Sequence, residues 1–281
     1  MTTMQKRVLT IEEEQRIQYD ILKIFNKLCT EKGIKYYLAY GTLLGAVRDK
    51  GFIQWDDDVD IWVYRNDLKR IKEQFYNYFD SKIYFFQDIF TDPYCMSPEM
   101  SRICVNNTYK WAEGNENERF HTGIYFDLFP LDNGLGDERD YDNVKKFAKK
   151  HNLLTAQLKT NKTESIRSRI IRKCISMVPR KIVTSYVMST INSYVQNPRS
   201  QHLISFPASY AGTNRAVFET RFFESTINMQ FEDLMLPCPS CYDELLEYMY
   251  GSDYMTPKVT KPSIIHGVAY EKRLIKDTYK A

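Results

Sequence analysis

The sequence predicts an α+β fold, in which helices flank a mixed β-sheet and a mostly helical middle and C-terminal part follows. Patterns typical of strands and of helices alternate along the first 136 residues, whereas helical periodicity dominates residues 138–195. The chain has 281 residues, 43% of them hydrophobic, which is enough for a sizeable core. We therefore expect a sheet-containing core in residues 1–136. Residues 137–281 should complete it, either as a second unit or within one compact domain.

The first predicted element is a long helix. Thr10 and Glu13 have the spacing of a capping box, in which each side chain bonds the backbone amide of the other residue. Gly33 is placed to end the helix, because glycine readily adopts the left-handed conformation found at many helix C-termini. Between them, apolar residues recur at helical spacing: Ile17, Ile21, Ile24, Phe25 and Leu28.

Short strands and helices alternate over the next hundred residues. Residues 34–40 predict a strand, the run T-L-L-G-A-V-R predicts a short helix, and Gly51 turns the chain into a second strand, D-V-D-I-W-V. Asn66 is placed to cap another helix. The remaining predicted elements are strands at 83–87, 101–105 and 123–129 and a helix at 242–249.

Composition and charge exclude several classes of protein. Lys and Arg number 39 against 36 Asp and Glu, so the whole-chain charge gives no reason to expect a nucleic-acid partner. No uncharged apolar run approaches the roughly 18 residues that a transmembrane helix needs, and the N-terminus leads directly into charged residues. The six cysteines show no disulfide-framework spacing. We therefore predict a cytoplasmic protein without a membrane span.

Residues 53–60, I-Q-W-D-D-D-V-D, place four carboxylates within five positions beside an apolar strand. Like charges this close repel one another, so a cation is expected among them. Because side chains alternate along a strand, Asp58 and Asp60 should project from the same face. Carboxylate oxygens suit a hard divalent cation, and we expect Mg²⁺, with Mn²⁺ as the other candidate. A solvated acidic turn would explain the run equally simply.

Two further features favour the metal interpretation. Gly41 and Thr42 lie at a predicted strand-to-helix turn, where backbone N–H groups and the helix dipole can bind phosphate oxygens. Asp127 is a lone acid inside the aromatic strand G-I-Y-F-D-L-F-P. It could be satisfied by a salt bridge or serve as a third carboxylate that faces a metal.

The order of these features resembles the nucleotidyltransferase fold. The block G-T-L-L-G-A-V-R-x-K-G-F-I-x-W-D-D-D-V-D-I, residues 41–61, resembles the signature of the LicD family, to which the catalytic regions of fukutin-related proteins are similar. The resemblance continues in residues 123–132 and 231–255. Two residues depart from the usual pattern: Gln54 stands where Pro is usual, and Asp49 where His is common.

The resemblance implies that Asp58 and Asp60 bind Mg²⁺ and that Asp127 is a third carboxylate, as a metal ligand or as a general base. Asp56 and Asp57 would orient Arg48 or a metal-bound water. The resemblance also implies a set of substrate-binding residues: Gly41, Thr42, Arg48 and Asp253.

Members of this family transfer a phosphoalkyl group from a CDP-activated alcohol, such as CDP-choline or CDP-ribitol, to a sugar hydroxyl, and release CMP. Phosphocholine is the group we expect here, with a glycan or lipid-linked glycan as acceptor: teichoic acid, lipopolysaccharide or a capsule precursor. Two enzyme alternatives stay open, a nucleotidyltransferase that attaches NMP to a small acceptor and a metal-dependent glycosyltransferase. A non-enzymatic binding module is a further alternative.

Residues 166–182 have the periodicity of an amphipathic helix with an apolar half. Arg169, Arg172, Lys173 and Arg180 fall on the other half, and Pro179 should kink or end the first segment. Such a helix can pack on its own core, or it can lie on an anionic bilayer surface. The second alternative predicts a peripheral location on the inner face of the plasma membrane, close to a lipid-linked acceptor.

Overall fold

The computed structural model describes residues 3–111, 119–158, 170, 173–194, 200–257 and 268–275. The helices are α1 (Ile11–Lys32), α2 (Tyr40–Arg48), α3 (Arg65–Gln74), α4 (Arg139–Leu158), α5 (Arg180–Asn192) and α6 (Tyr242–Tyr250). The first strands are β1 (Thr3–Val8), β2 (Tyr36–Leu38), β3 (Asp60–Tyr64), β4 (Tyr84–Gln87), β5 (Ser101–Val105), β6 (Thr108–Trp111) and β7 (Tyr125–Asn133). The later strands are β8 (His202–Ile204), β9 (Val217–Glu219), β10 (Thr226–Phe231), β11 (Leu234–Pro239) and β12 (Val268–Ile275).

A seven-stranded mixed sheet forms the centre of the fold. Its main path runs β2-β3-β7-β5-β4, with β8 and β9 added beyond the end of β7. The β3–β7 pair is parallel and the other pairs are antiparallel. Separately, β12 pairs with β1 on one side and β6 on the other, and β10 and β11 form a hairpin. The predicted α+β class is therefore confirmed.

Helix α1 covers the sheet with an apolar face. The capping box at Thr10 and Glu13 is present, and Gly33 ends the helix at a φ of 58°. The ring of Phe25 packs on Phe126 of β7 at 5.2 Å between centroids. The side chains on this face are wholly buried: Ile21, Leu22, Phe25 and Leu28. Each such burial contributes about 1.5–3 kcal/mol, so packing stabilises the helix more than its caps do.

Most of the predicted elements are present, with shifted ends. The strand expected at 34–40 is shortened to three residues, because α2 begins at Tyr40, and Asp58 precedes β3 rather than lying in it. Leu245, Leu246 and Met249 form the buried face of α6, as expected. The strands between residues 200 and 239 were not predicted. Three strand pairings, β7 with β8, β12 with β1 and β12 with β6, join residues on either side of the expected division at 136.

The helical region expected at 166–182 is described only in part. Residues 173–176 are helical and Pro179 is the N-cap of α5, so the proline ends the first segment as predicted. Arg169 and Arg172 lie outside the described residues. Arg180 was expected on the polar face, but it is half-buried and donates to the carbonyls of Leu154 (3.0 Å) and Cys95 (2.7 Å). Arg180 therefore joins α5 to α4 and to the loop that contains Cys95, and it does not belong to an exposed basic face.

Among the described residues, no helix combines the length and apolarity that crossing a bilayer would demand.

Candidate active site

A pocket of about 270 Å³ opens where α2 begins and where β3 and β7 enter the sheet. Four carboxylates and two guanidinium groups line it together with five aromatic rings. The charged residues are Asp56, Asp58, Asp60, Asp127, Arg102 and Arg215. The aromatic residues are Tyr40, Tyr125, Phe129, Tyr210 and Tyr250. The three acids that the sequence predicts as metal ligands therefore share one pocket.

Strand register brings three charged residues into a row across the sheet. Asp60 on β3 is paired with Asp127 on β7, and Asp127 is paired in turn with Arg102 on β5. Directly opposed residues on neighbouring strands place their Cβ atoms about 4.5–5.5 Å apart. The row thus holds two carboxylates side by side although they lie 67 positions apart in the chain, and it places a guanidinium beside the second.

Arg102 forms a two-point salt bridge with Asp127. Its Nε lies 2.7 Å from Oδ1 and its Nη2 lies 3.3 Å from Oδ2 of the carboxylate. The guanidinium also covers the ring of Tyr125, 4.1 Å from the centroid. Sequence reasoning missed Arg102, although an arginine inside the otherwise uncharged strand S-R-I-C-V was a signal that could have found it. Both alternatives for Asp127 remain compatible with this pairing, because each carboxylate oxygen has a second lone pair.

Asp60 is less well neutralised than Asp127. Burial raises the pKa of Asp60 well above its usual range, and the charges of Asp58, Asp127 and Asp56 raise it further, against a smaller opposing effect of Arg102. The desolvated carboxylate thus lies among other acids with too little positive charge around it. Such oxygens are the ligands that hard divalent cations prefer, so the residues present fit a metal of that kind.

Asp57 differs from its neighbours because it does not line the pocket. One carboxylate oxygen from each of Asp56, Asp57 and Asp58 lies within 4.8 Å of the other two, but Asp57 is only 2% exposed. The ammonium of Lys110 on β6 lies 3.1 Å from Asp57 Oδ2 and 2.5 Å from Glu14 Oε1 on α1. Asp57 thus pairs with Lys110, whereas Arg48 pairs with Asp49, and the alternative that Asp57 orients a metal-bound water stays a prediction.

Lys110 is charged although its side chain is fully buried. Burial by itself lowers the pKa of this lysine, but Glu14 and Asp57 outweigh burial and raise the pKa above its usual value. Lys110 also donates to the backbone carbonyl of Asp57, and Gln18 of α1 donates to the same oxygen at 2.6 Å. These contacts fix the backbone of the acidic segment to α1 and β6.

Two glycines of the signature are required by close approach. A Cβ on Gly41 would lie 2.6 Å from Oδ2 of Asp56, so this carboxylate occupies the space beside the first turn of α2. A Cβ on Gly45 would collide with the carbonyl oxygen of Gly51, where the loop after α2 folds back on the helix. The glycines let the acidic segment pack against α2.

Gly41 lines the pocket, whereas Thr42 does not. Thr42 is buried, and its hydroxyl accepts a 2.9 Å hydrogen bond from the amide of Asp60, which joins α2 to the start of β3. No side chain of the N-cap residue, Ala39, caps the helix. The first turn of α2 therefore presents its N–H groups and positive dipole end toward the pocket.

The structure places two predicted substrate-binding residues elsewhere. Arg48 lies at the C-terminal end of α2, where its Nη2 is 2.8 Å from Oδ2 of Asp49, and it does not line the pocket. Asp253 lies in an exposed turn after α6, also outside the lining. Tyr250 and Arg215 line the pocket instead. The sequence pattern did not indicate that either residue belongs to the site, because only the folded chain brings Tyr250 and Arg215 close to α2.

Comparison with known proteins matches residues 33–133 to the family described as LicD/FKTN/FKRP, nucleotidyltransferase domain. The chain is 26% identical over 260 residues to the lipopolysaccharide cholinephosphotransferase LicD of Haemophilus influenzae, covering 88% of this chain and 92% of that protein. An uncharacterized protein of Rickettsia typhi is 37% identical over 86 residues, 28% of each chain. One of Rickettsia prowazekii is 45% identical over 60 residues, 20% of this chain and 23% of its own.

The matched segment contains α2, the acidic residues 56–60, and β3, β5 and β7, which together carry most of the charged pocket. Residues 33–133 are therefore similar to the nucleotidyltransferase domain of the LicD/FKTN/FKRP family.

Proposed function

We propose that this protein is a Mg²⁺-dependent phosphotransferase that moves phosphocholine from CDP-choline to a sugar hydroxyl of a cell-surface glycan and releases CMP. One observation carries the proposal: a single pocket combines four carboxylates, two guanidinium groups and five aromatic rings. The likeness to a lipopolysaccharide cholinephosphotransferase along 88% of the chain supports the same reaction.

Asp58 and Asp60 would hold the metal, with Asp127 or Asp56 as a further ligand. A bound Mg²⁺ would neutralise the diphosphate and polarise the phosphorus that is attacked. The N–H groups at the first turn of α2 orient phosphate oxygens, because they form the positive end of the helix. Asp127, positioned by Arg102, either completes the metal site or accepts the proton of the attacking sugar hydroxyl.

The aromatic rings favour choline over other alcohols. A quaternary ammonium donates no N–H hydrogen bond, so proteins bind it through the faces of aromatic rings and through nearby negative charge. Tyr210 is 77% exposed, yet it borders a pocket that contains four acids. An exposed ring beside carboxylates is well suited to cover a cationic head group. Ribitol or glycerol would instead require hydrogen-bonding partners.

The decisive experiment is an assay of CMP release. The purified protein is incubated with Mg²⁺ and CDP-choline, CDP-ethanolamine, CDP-ribitol or CDP-glycerol, with a lipopolysaccharide or teichoic acid acceptor. We expect CMP release to be fastest with CDP-choline and to stop when EDTA removes the metal. The variant Asp142→Asn, which changes an exposed acid paired with Lys145, is the matched control for changes of pocket acids.

A nucleotidyltransferase is the second candidate, because the matching family is described by that activity. Such an enzyme would attach NMP to its acceptor and release pyrophosphate. Release of pyrophosphate from CTP, with no CMP from any CDP-alcohol, would replace our proposal with this one.

We also propose that the protein binds the cytoplasmic surface of an anionic membrane, where a lipid-linked acceptor would be accessible. The segment around the start of α5 exposes apolar side chains: Ile170, Met177, Val178, Ile182 and Tyr186. Lys173 and Lys181 are exposed beside them. Each cation near an anionic surface contributes about 1 kcal/mol to binding.

Co-sedimentation with vesicles that contain phosphatidylglycerol tests this location. Binding should weaken at high salt and in the double variant Lys173→Gln/Lys181→Gln, while turnover of a soluble acceptor is unchanged. No binding of the unaltered protein at low salt would refute the membrane contact.

A further inference from the structure

Within the part of the chain that the structure describes, Arg215 has no acidic partner at salt-bridge distance, in contrast to Arg102, the other guanidinium of the pocket. Arg102 is held by both oxygens of Asp127. Among the described residues, none places a carboxylate oxygen within 4.0 Å of the Arg215 guanidinium. Its contacts are the carbonyl of Met249, 3.3 Å from Nε, and the ring of Tyr250, 3.9 Å from the guanidinium carbon to the centroid. Arg215 therefore carries a positive charge with which no carboxylate of the described ranges pairs directly.

The position of this guanidinium is fixed from several sides. Tyr40, the first residue of α2, donates its hydroxyl to the Arg215 carbonyl at 3.0 Å. Asn214 donates to the Met249 carbonyl at 3.1 Å, the same oxygen that accepts from Arg215. These bonds join the turn that carries Arg215 to the start of α2 and to the end of α6. A preorganised side chain loses little entropy when a ligand binds.

Tyr250 extends the same surface toward the acids. Burial raises the pKa of its hydroxyl well above the usual value, and Asp60, Asp56 and Asp58 raise it further, whereas Arg215 opposes them. The hydroxyl therefore keeps its proton and remains a hydrogen-bond donor. It lies within electrostatic range of both the guanidinium and the acids, so Arg215 and the acidic cluster border one space.

We propose that Arg215 binds a phosphate of the nucleotide diphosphate independently of the metal, with the Tyr250 ring holding the guanidinium in place. This inference rests on the proposed function and names the residue that neutralises the CMP leaving group. The acidic side of the pocket attracts an anion only through a bound cation. Arg215, which no described carboxylate pairs with, lies beside the N-terminal turn of α2 and attracts an anion directly.

The reaction gives this contact a chemical purpose. The sugar oxygen forms a bond to the phosphorus of the phosphocholine group, and the bond from that phosphorus to the bridging oxygen breaks. The bonding electron pair leaves with CMP, whose phosphate gains negative charge, and the sugar proton passes to a carboxylate of the pocket. Arg215 donates N–H hydrogen bonds to the phosphate on which this charge develops.

The test compares Arg215→Gln and Arg215→Lys with Arg221→Gln. Arg221 is a matched control because it also lies over an aromatic ring, Phe222 at 4.5 Å, but is paired with Glu219 and Glu244 outside the pocket. Calorimetric titrations with CDP, CMP, inorganic pyrophosphate and cytidine are made in EDTA and again with Mg²⁺.

In EDTA, we expect Arg215→Gln to weaken CDP, CMP and pyrophosphate binding by about 10- to 100-fold, because a charge-assisted hydrogen bond to phosphate is lost. Cytidine binding should be unchanged in all variants, since cytidine has no phosphate. Arg215→Lys should retain part of the affinity, and Arg221→Gln all of it. In turnover, Arg215→Gln should lower kcat more than it raises KM for the donor.

Equal CDP affinity in Arg215→Gln and Arg221→Gln would overturn the proposal, as would an equal loss of cytidine binding, which indicates a structural role. Thermal unfolding shows whether Arg215→Gln folds normally. If it does not, the ligand affinities and turnover of Arg215→Lys test the proposal instead. The two proposals fail separately. An Arg215-dependent pyrophosphate affinity without CMP release refutes only the transferase. Normal CMP release in Arg215→Gln refutes only the role of Arg215.

Discussion

Two groups of acids within residues 56–60 are neutralised in different ways. Asp57 is buried with Glu14 against the ammonium of Lys110, so the protein supplies its counter-charge. Asp58 and Asp60 line the pocket, where Arg102 is committed to Asp127 and the local charge remains negative. The first group holds the segment in place, and we propose that a bound cation neutralises the second. On that proposal, neighbouring residues serve folding and binding separately.

The largest effect should come from removing the cation of the internal group. Lys110→Met leaves Glu14 and Asp57 buried without a positive partner, and it should lower the free energy of unfolding by about 3–5 kcal/mol. Urea denaturation measures this loss. Lys145→Met, which removes an exposed lysine paired with Asp142, should change stability by less than about 1 kcal/mol.

The same comparison has a rescue arm. The triple variant Glu14→Gln/Asp57→Asn/Lys110→Met removes both acids with the cation and should regain much of the lost stability, because no buried charge is left unpaired. A single Lys110→Met variant as stable as the parent protein would show that this triad does not hold the acidic segment.

The pocket group should respond in the opposite sense. Asp60→Asn should reduce turnover at least about 100-fold, because a metal-facing carboxylate is lost. Without metal, its stability should be unchanged or higher, since repulsion among the acids is relieved. Turnover and thermal unfolding with and without Mg²⁺ measure both effects, with Asp142→Asn as control. Full activity in Asp60→Asn would remove the metal assignment.

Loss of Arg102 should change stability by an amount between those expected for the Lys110 and Asp60 variants. Arg102→Gln leaves Asp127 without its salt bridge, and stability in EDTA should fall by about 1–3 kcal/mol, less than for Lys110 because the pocket admits water. Mg²⁺ should restore part of this loss by replacing the missing positive charge. Thermal unfolding in EDTA and in Mg²⁺ distinguishes Arg102→Gln from Lys110→Met. If Mg²⁺ also restored the stability lost in Lys110→Met, the proposed difference between the internal acids and the pocket acids would be contradicted.

The smallest expected effect is on the pH dependence of stability near neutral pH. We assign it to a histidine and not to either group of acids. Burial lowers the pKa of His121, whose Nδ1 accepts from the amide of Gly123 at 3.1 Å. The unfolded chain then binds the proton more tightly, so this contribution is complete above the unfolded pKa of about 6.5. It declines as pH falls through that value toward the lower folded pKa. His121→Gln should flatten the urea-midpoint profile between pH 7.5 and 5.5; an unaltered slope would assign it to other groups.

Local elements could be predicted from the sequence because their determinants lie within a few residues of one another. Thr10 and Glu13 cap α1 through groups three positions apart, and the apolar run after Asp60 marks β3. The acidic run itself indicated that a cation was required. These inferences depend on backbone periodicity and on like-charge repulsion, which any chain with this order of residues would share.

Only the tertiary structure determined which positively charged side chains pair with the acids. Lys110 lies 53 positions from Asp57, and Arg102 reaches Asp127 only through the register of β5 and β7. Arg48, close in sequence to the acids, pairs instead with Asp49 at the far end of α2. Coulomb interactions depend on distance in space and on burial. Neither follows from position along the chain until the strands have paired.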